Sequence, residues 1–275
     1  MKKRIVKKRK KKRTLRKLFC LAVIFIISGL SAYLYFTFPD FASLKKHNPR
    51  KTSFMEYREQ EWEKKGKKYT IRQRWVPLSR ISPYLIKAVL IAEDDKFWSH
   101  EGFDYEAMQK AIEKDIKAKK FKLGGSTISQ QLAKNLYLSP SKNPVRKIKE
   151  AIITWRMEKV LSKKRILELY LNVAEWGDKG IFGIEAASWH YYGKPASGIT
   201  PEEAARLASV LPNPKKYNPL GDSKYVLNRS NLIYSIMVKR GIVVPEYEEI
   251  VEEEKKEENP PDSADQPETQ RPANQ

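Results

Sequence analysis

Cysteine and histidine are scarce in this chain of 275 residues, which contains one cysteine and three histidines. The cysteine, Cys20, lies in an apolar stretch near the N-terminus, so the rest of the chain has neither a disulfide nor thiol chemistry. His47, His100 and His190 are scattered and lack the spacing of metal ligands. Alternating strand patterns and internal repeats are also absent, which argues against all-β and solenoid folds.

Positive charge, in contrast, is abundant and unevenly distributed. The formal net charge is +21. Residues 1–17 carry 12 Lys and Arg and no acid, whereas residues 246–275 carry 11 acidic and 3 basic side chains. The body between them, with 39 basic and 22 acidic residues, is expected to bind an anionic partner: nucleic acid, anionic lipid or a phosphorylated substrate.

The longest apolar run predicts a transmembrane helix. Residues 18–38 contain no charge and are long enough to cross a hydrocarbon core of roughly 30 Å. A cleaved signal peptide is the alternative, but its apolar region has roughly 7–15 residues and is followed by a small-residue cleavage site. The positive-inside rule places residues 1–17 in the cytoplasm and the chain after Pro39 outside. On the cytoplasmic side, the basic segment is expected to contact anionic lipids rather than nucleic acid.

Helix signals dominate the rest of the chain and predict a mainly α fold. The predicted N-caps are Ser82, Thr127, Asn143 and Thr200. Thr127 and Thr200 are each followed three residues later by Gln or Glu, which is the pattern of a capping box.

Composition divides the chain into five segments. The acidic, Pro-rich end cannot bury a core and is predicted to be disordered, and "KYTIRQRWVPL" suggests a strand before the helices. The segments are 1–17 (cytoplasmic basic segment), 18–38 (transmembrane helix), 39–80 (extracytoplasmic stalk), 81–245 (main helical domain) and 246–275 (disordered acidic tail).

The first candidate site is in residues 91–102, "IAEDDKFWSHEG", where three acids follow an apolar helical run. At about 100° per residue, Glu93 falls on the edge of the apolar stripe and Asp94 on the opposite side. A carboxylate at such an edge loses water and its pKa rises, which suits a general base or acid. The alternative is a solvated helix end.

The second candidate site is in residues 124–135, "GGSTISQQLAKN". Thr127, Gln131 and Lys134 share one face of the predicted helix. The glycine-rich entry to its N-terminus favours phosphate, although an ordinary capped surface helix has the same pattern.

The third candidate site is in residues 143–151, "NPVRKIKEA". Arg146 and Glu150 are four residues apart and can pair on a helix. A carboxylate among cations could position a diphosphate directly or through a divalent ion. The alternative is a surface ion pair, worth roughly 0.3–0.5 kcal/mol.

Together these motifs resemble those of the peptidoglycan glycosyltransferases. The resemblance is carried in order by "EDDKFWSHEG", "GGSTISQQLAKNLYL", "RKIKE" and "KKRILELYLN". The segments "RWVPLSRIS", "YLNVAEWGDKGIFGIEAAS" and "LASVLPNP" resemble the monofunctional, biosynthetic branch, and the match covers about residues 74–219. It implies a lysozyme-like α fold with a small membrane-proximal jaw subdomain. It also implies polymerisation of lipid II into β-1,4-linked glycan strands, with inversion and release of undecaprenyl diphosphate, for cell wall biosynthesis.

The resemblance also implies residue roles. Glu93 would be the general base that deprotonates the 4-hydroxyl of the incoming lipid II sugar, and Glu150 the second essential acid. The residues implied in substrate binding are Asp94, Phe97, His100, Thr127, Gln131, Lys134, Asn135, Lys142 and Arg146. The fourth motif, with Glu168, Tyr170 and Asn172, is expected to be structural.

The same resemblance bears on cofactors and partners. It allows a divalent cation, Mg²⁺ or Mn²⁺, at the donor diphosphate and implies no organic cofactor. The expected partners are lipid II, the growing glycan chain, anionic membrane lipids and other cell-wall synthesis or division proteins, with no nucleic acid. The expected location is the plasma membrane of a bacterium, crossed once.

Two other functions fit parts of the sequence. A lytic, lysozyme-like enzyme would share the fold, but it needs a second carboxyl group as acid and gives the cationic motifs no purpose. A non-catalytic basic membrane protein would bind an anionic polymer, yet residues 1–17 contain none of the aromatic side chains expected of such a segment. A diphosphate leaves as a stable anion and needs cations more than a proton donor, which favours the synthetic enzyme.

Overall fold

A computed structural model of the chain describes residues 16–29, 39–118, 125–140 and 143–244. Within these residues the fold is mainly α, as predicted. The α-helices are α1 (16–29), α2 (Ser53–Lys64), α3 (Pro83–Glu93), α4 (Tyr105–Ala118), α5 (Ile128–Tyr137), α6 (Pro144–Val160), α7 (Lys163–Val173), α8 (Ile184–Tyr192), α9 (Pro201–Val210) and α10 (Lys224–Lys239). Short 3-10 helices occupy Ser43–Lys45, Leu78–Arg80 and Ala196–Gly198.

A three-stranded sheet interrupts the helices. Its strands are β1 (Arg72–Gln73), β2 (Glu175–Gly177) and β3 (Ile181–Phe182), in the order β1-β3-β2. β1 is parallel to β3, and β2 is antiparallel to it. The strand predicted in "KYTIRQRWVPL" is confirmed as β1. Sequence analysis missed β2 and β3 because every residue in them is buried, so neither strand shows a polar alternation.

The helices form two groups around one core. α3 packs against α9 and α10, and α5 packs against α6 and α7. Leu85 of α3, Leu132 of α5 and Leu207 of α9 are fully buried in the same cluster. The C-terminal end of α3 therefore lies where the two groups meet, and the candidate site lies there.

Local signals account for where most of these helices begin. Thr127 and Thr200 form the predicted capping boxes, and the Asn143 side chain accepts a hydrogen bond from the Val145 N–H. Ser82 precedes α3 as predicted but does not cap it with its side chain. Its hydroxyl instead donates to the carbonyl of Ile199 at 2.8 Å, which connects the start of α3 to the start of α9.

Residues 39–80, predicted as a stalk, pack against the body over much of their length. Phe41, Leu44 and Val76 belong to the main core. Met55 and Trp62 of α2 form a second cluster. The boundary placed at residue 80 stays a prediction.

The predicted transmembrane segment is described only in its first part. Residues 18–29 lie in α1, and residues 30–38 lie outside the described residues, as do most of the basic segment and the acidic tail. Among the described residues, no helix has the length and apolar character needed to cross a membrane.

The fourth motif holds the chain in place ahead of α3. The buried Asn172 side chain accepts from the Val76 N–H at 2.9 Å and donates to the carbonyls of Val76 and Glu168 at 2.8 Å each. The Glu168 carboxylate accepts from the Leu78 N–H at 2.8 Å. These contacts agree with the structural role expected for this motif.

Replacing Asn172 by alanine should therefore destabilise the protein. The change removes three hydrogen bonds and leaves buried backbone groups of Val76 unpaired, at a cost of about 2–4 kcal/mol. Urea unfolding followed by tryptophan fluorescence measures this loss. Asn228→Ala is the matched control because Asn228 is exposed on α10, and equal losses in the two variants would contradict the assignment.

Candidate active site

Glu93 is a buried carboxylate at the end of α3. Only 9% of its side chain is exposed, and this burial raises the pKa of Glu93 above its ordinary value. The Gln131 amide donates to Oε2 at 2.8 Å, while Oε1 is buried without a hydrogen bond among the described residues. The solvated helix end is thereby excluded, and the arrangement suits a general base.

Tyr170 fixes the orientation of the Gln131 amide. Its hydroxyl donates to Gln131 Oε1 at 3.1 Å, so the amide nitrogen points at Glu93. Burial raises the pKa of Tyr170 well above its ordinary value, which keeps the phenol protonated as a donor. The chain of contacts from α7 through α5 to α3 thus places one hydrogen-bond donor on Glu93.

Asp94 lies on the buried side of the chain, contrary to the sequence-based expectation. The angular count assumed a continuing helix, but α3 ends at Glu93 and Asp94 has an extended φ of −164°. Its carboxylate accepts from the Ile128 N–H at 2.9 Å and lies 2.9 Å from His100 Nε2. Asp94 therefore binds the N-terminus of α5, where a negative charge is favourable.

His100 and Phe97 complete the internal packing of the first motif. His100 Nδ1 accepts from the Gly102 N–H at 3.0 Å, which leaves Nε2 as the donor to Asp94. Phe97 is fully buried and meets the His100 ring edge to face. In the structure these side chains contact the protein itself and hold the loop between α3 and α4.

Some side chains of the second motif contact the protein itself, and others line a cavity. The Thr127 hydroxyl accepts from Gln130 in the capping box and donates to the Gly102 carbonyl at 2.7 Å. It is therefore engaged within the protein. Gln131, Lys134 and Asn135 instead line a cavity of about 220 Å³.

Lys134 is a largely buried ammonium beside this cavity. Among the described residues it makes no ion pair and no side-chain hydrogen bond. Burial lowers the pKa of Lys134, and the charges of Glu150 and Glu93 partly oppose this effect. An ammonium with unused donors beside a cavity can bind an anionic group.

The third motif is an ion cluster around a buried carboxylate rather than a surface pair. Only 3% of the Glu150 side chain is exposed. Arg146 Nη1 lies 2.7 Å from one of its oxygens, and Lys147 Nζ pairs with the other. Lys147 Nζ also lies 3.4 Å from the hydroxyl of Ser126. Lys142, which the resemblance implied in substrate binding, lies outside the described residues.

Two cavities flank the Glu93–Gln131 pair. The second cavity, of about 240 Å³, is lined by Glu93, Ser126 and Thr127 among others, and the first by Gln131 and Lys134. Glu93 itself faces the second cavity, and its partner Gln131 lines the first.

The described residues do not by themselves form a metal site. No group of three His, Cys, Asp or Glu side chains in the described part of the chain could hold a metal ion. Both oxygens of Glu150 are paired with cations, so this carboxylate is not open for coordination. A cation bound here would take most of its ligands from the substrate.

Sequence analysis missed Arg229. This α10 residue lies 3.5 Å from Glu93 Oε1 and donates to the Ala92 carbonyl at 3.0 Å. It is 136 residues from Glu93 along the chain, and no local pattern marks it.

A buried carboxylate near a cationic cluster, in a helical body, suits an enzyme that transfers a group from an anionic donor. The family model of the transglycosylases matches residues 60–238, and the chain belongs to this family. All the described site residues lie within the matched range.

Curated relatives agree with this membership. The chain is 46% identical to a biosynthetic peptidoglycan transglycosylase of Nitrosospira multiformis over 225 residues, which is 82% of this chain and 95% of the relative. It is 41% identical to one of Methylobacillus flagellatus over 81% of this chain and 97% of the relative. It is 54% identical to one of Dechloromonas aromatica over 62% of this chain and 74% of the relative.

The burial that raises the pKa of Glu93 is predicted to lower the stability of the folded protein at neutral pH. Its pKa is raised in the folded state, so the unfolded chain ionises first as pH rises from about 4.5. The folded state therefore loses stability between that pH and its own higher pKa. Glu93→Gln removes the loss, and its melting temperature at about pH 7.5 should exceed the wild-type value by about 2–4 °C.

The control for this measurement is Glu202→Gln, since Glu202 is exposed in the first turn of α9. Thermal melts at about pH 4 and pH 7.5 should show the Glu93→Gln gain only at the higher pH. A gain of the same size at both values would mean that burial does not disfavour the charged form.

Proposed function

We propose that this chain is a peptidoglycan glycosyltransferase that polymerises lipid II into β-1,4-linked glycan strands for cell wall biosynthesis. The supporting observation is the buried Glu93 carboxylate, with a raised pKa, near the ammonium of Lys134, which has no ion-pair partner among the described residues. The names of the relatives support peptidoglycan as the polymer. Family membership supports the transfer of a glycosyl group.

Glu93 acts as the general base in this reaction. It accepts the proton of the 4-hydroxyl of the incoming lipid II sugar while that oxygen attacks the anomeric carbon of the growing chain. The bond from this carbon to the diphosphate oxygen breaks with inversion, and the diphosphate keeps the electron pair. Glu93 ends protonated. A raised pKa strengthens the base as long as the carboxylate is ionised at the working pH.

The cations of the second and third motifs stabilise the departing diphosphate. Lys134 lines the cavity and has no ion-pair partner in the part of the chain that the structure describes, and the buried Glu150 holds Arg146 and Lys147 near Lys134. Negative charge that develops on the leaving oxygen is then met by groups already in place, and this preorganisation is the main source of rate enhancement in such sites. Asn135 and Lys142 are proposed as further binding residues.

A lytic enzyme fits the site less well. Cutting a glycosidic bond needs a carboxylic acid that protonates an alkoxide leaving group. The Glu150 oxygens are paired with Arg146 and Lys147, which is the environment of a bound carboxylate and not of a proton donor. The geometry therefore favours release of a diphosphate.

The membrane parts of the proposal rest on the sequence. The uncharged run of residues 18–38 and the cations before it support a single-pass protein of the bacterial plasma membrane, with a catalytic domain outside. A membrane-proximal jaw subdomain, contact with anionic lipids and assembly with other cell-wall proteins belong to the same proposal. A divalent cation, Mg²⁺ or Mn²⁺, at the diphosphate is also proposed, and no step above depends on it.

A reporter fusion tests the topology. An enzyme that folds only outside the cytoplasm, fused after Pro39, should be active, because 12 cations and no acid precede the apolar run. The same reporter fused after Lys17 should be inactive. The reversed pattern would overturn the proposed orientation.

The function is tested with purified protein, lipid II and, separately, purified sacculi. Wild-type protein should polymerise lipid II and release no fragments from sacculi. Glu93→Gln should lower the polymerisation rate by about 10²–10⁴-fold, the usual contribution of a general base, and leave the affinity for a diphosphate-bearing donor analogue nearly unchanged.

Glu150→Gln provides the contrast. It removes the charge that holds Arg146 and Lys147, so it should weaken donor-analogue binding together with the rate. Glu202→Gln, on the exposed face of α9, should match the wild type in both. Each assay is run with and without a chelator, which removes divalent cations and so tests the cation proposed at the diphosphate. Loss of rate in Glu150→Gln with binding intact, and normal turnover in Glu93→Gln, would reverse the two roles.

A further inference from the structure

We propose that Arg229 is a positioning residue for Glu93: its guanidinium anchors the end of α3 and holds the Glu93 carboxylate in its ionised form. The inference rests on the proposed function only in calling Glu93 the base. Arg229 itself is placed by its contacts.

The first contact is with the backbone. Arg229 Nη2 donates to the carbonyl of Ala92 at 3.0 Å. The last carbonyls of a helix lack partners within the helix, and a positive charge there is favourable. α3 has no basic residue of its own in its last turn. Arg229 supplies that charge from α10, and by holding Ala92 it fixes the peptide that carries Glu93.

The second contact is with the carboxylate. The same Nη2 atom lies 3.5 Å from Glu93 Oε1, the oxygen without a hydrogen bond. Gln131 occupies the other oxygen at 2.8 Å. At 3.5 Å the guanidinium attracts the charge on this oxygen without making a hydrogen bond to it.

The Nε atom of Arg229, like Glu93 Oε1, is a buried polar atom without a hydrogen bond among the described residues. Buried polar atoms are nearly always paired, so an unpaired Nε would not be expected in a side chain that serves only helix packing. The placement of the guanidinium next to Glu93 explains why this unfavourable burial is tolerated.

Other charged and titratable groups also face Glu93. Lys134 of α5 favours its ionised form, and Asp94 opposes it. Tyr170 of α7 and Tyr225 of α10 face it as neutral phenols whose pKa values are raised by burial. Burial raises the pKa of Glu93 most strongly, and the attraction of Arg229 exceeds that of Lys134 in opposing it.

A matched pair of variants separates anchoring from charge. Arg229→Gln and Arg229→Lys both shorten the side chain and lose the arginine contact with the Ala92 carbonyl, but only lysine keeps the charge. The rate of lipid II polymerisation is measured between about pH 5.5 and pH 8.5. The rate loss of Arg229→Gln should be about tenfold larger at the acid end, the effect of removing a neighbouring opposite charge from a carboxylate. Arg229→Lys should lose rate evenly across this range.

The control is Arg240→Gln. Arg240 is also on α10, but its guanidinium pairs with Asp95 at 2.5 and 2.8 Å on the surface. This variant removes the same charge and should keep the wild-type profile. Parallel profiles for Arg229→Gln and Arg229→Lys would overturn the proposal and leave Arg229 a purely structural contact. An equal acid-side loss in Arg240→Gln would also overturn it.

A second measurement does not need activity. Carboxyl-¹³C glutamate is incorporated into the full chain in detergent, and the Glu93 signal is identified by its absence in Glu93→Gln. Its titration midpoint should move upward in Arg229→Gln and stay near the wild-type value in Arg229→Lys. An unchanged midpoint in both overturns the proposal. Failure of the wild type to polymerise lipid II would reject the proposed function without affecting this titration.

Discussion

The structure depends on keeping a carboxylate charged where charge is unfavourable. Glu93 is buried, and it sits at the C-terminal end of α3, where the helix dipole repels an anion. Folding compensates with partners from two other helices: the Gln131 amide of α5, oriented by Tyr170 of α7, and the Arg229 guanidinium of α10. The placement of these helices around the end of α3 is therefore part of the site and not only its support.

The second acid is stabilised in a different way. The Glu150 side chain is 3% exposed against 9% for Glu93, and cations contact both of its oxygens. In the proposed mechanism such a carboxylate contributes position rather than proton transfer, because it fixes Arg146 and Lys147 near Lys134. Two largely buried carboxylates thus differ in their neighbours: one keeps an oxygen without a hydrogen bond among the described residues, and the other has both oxygens paired.

Local signals predicted much of this arrangement. The caps Thr127, Asn143 and Thr200 depend on side chains within three residues of the backbone that they bind, so sequence alone was sufficient for them. Asp94 was misplaced because the angular count cannot show that α3 stops one residue earlier. Arg229 was missed because its contact with Glu93 joins residues 136 apart. The burial of Glu150, which turned a weak surface pair into a buried cluster, also arises only from tertiary packing.

The position of Glu93 between two cavities bears on why the reaction would be synthesis and not hydrolysis. Polymerisation needs two sugars at once, with the base next to the attacking hydroxyl and the cations next to the leaving diphosphate. The Glu93–Gln131 pair separates a cavity lined by Ser126 from one lined by Lys134, so the two requirements are met on opposite sides of one hydrogen bond. Because Glu93 Oε1 is buried, bulk water does not solvate the base. A sugar hydroxyl bound next to the growing chain then has a much higher effective concentration than water as the group that attacks the anomeric carbon.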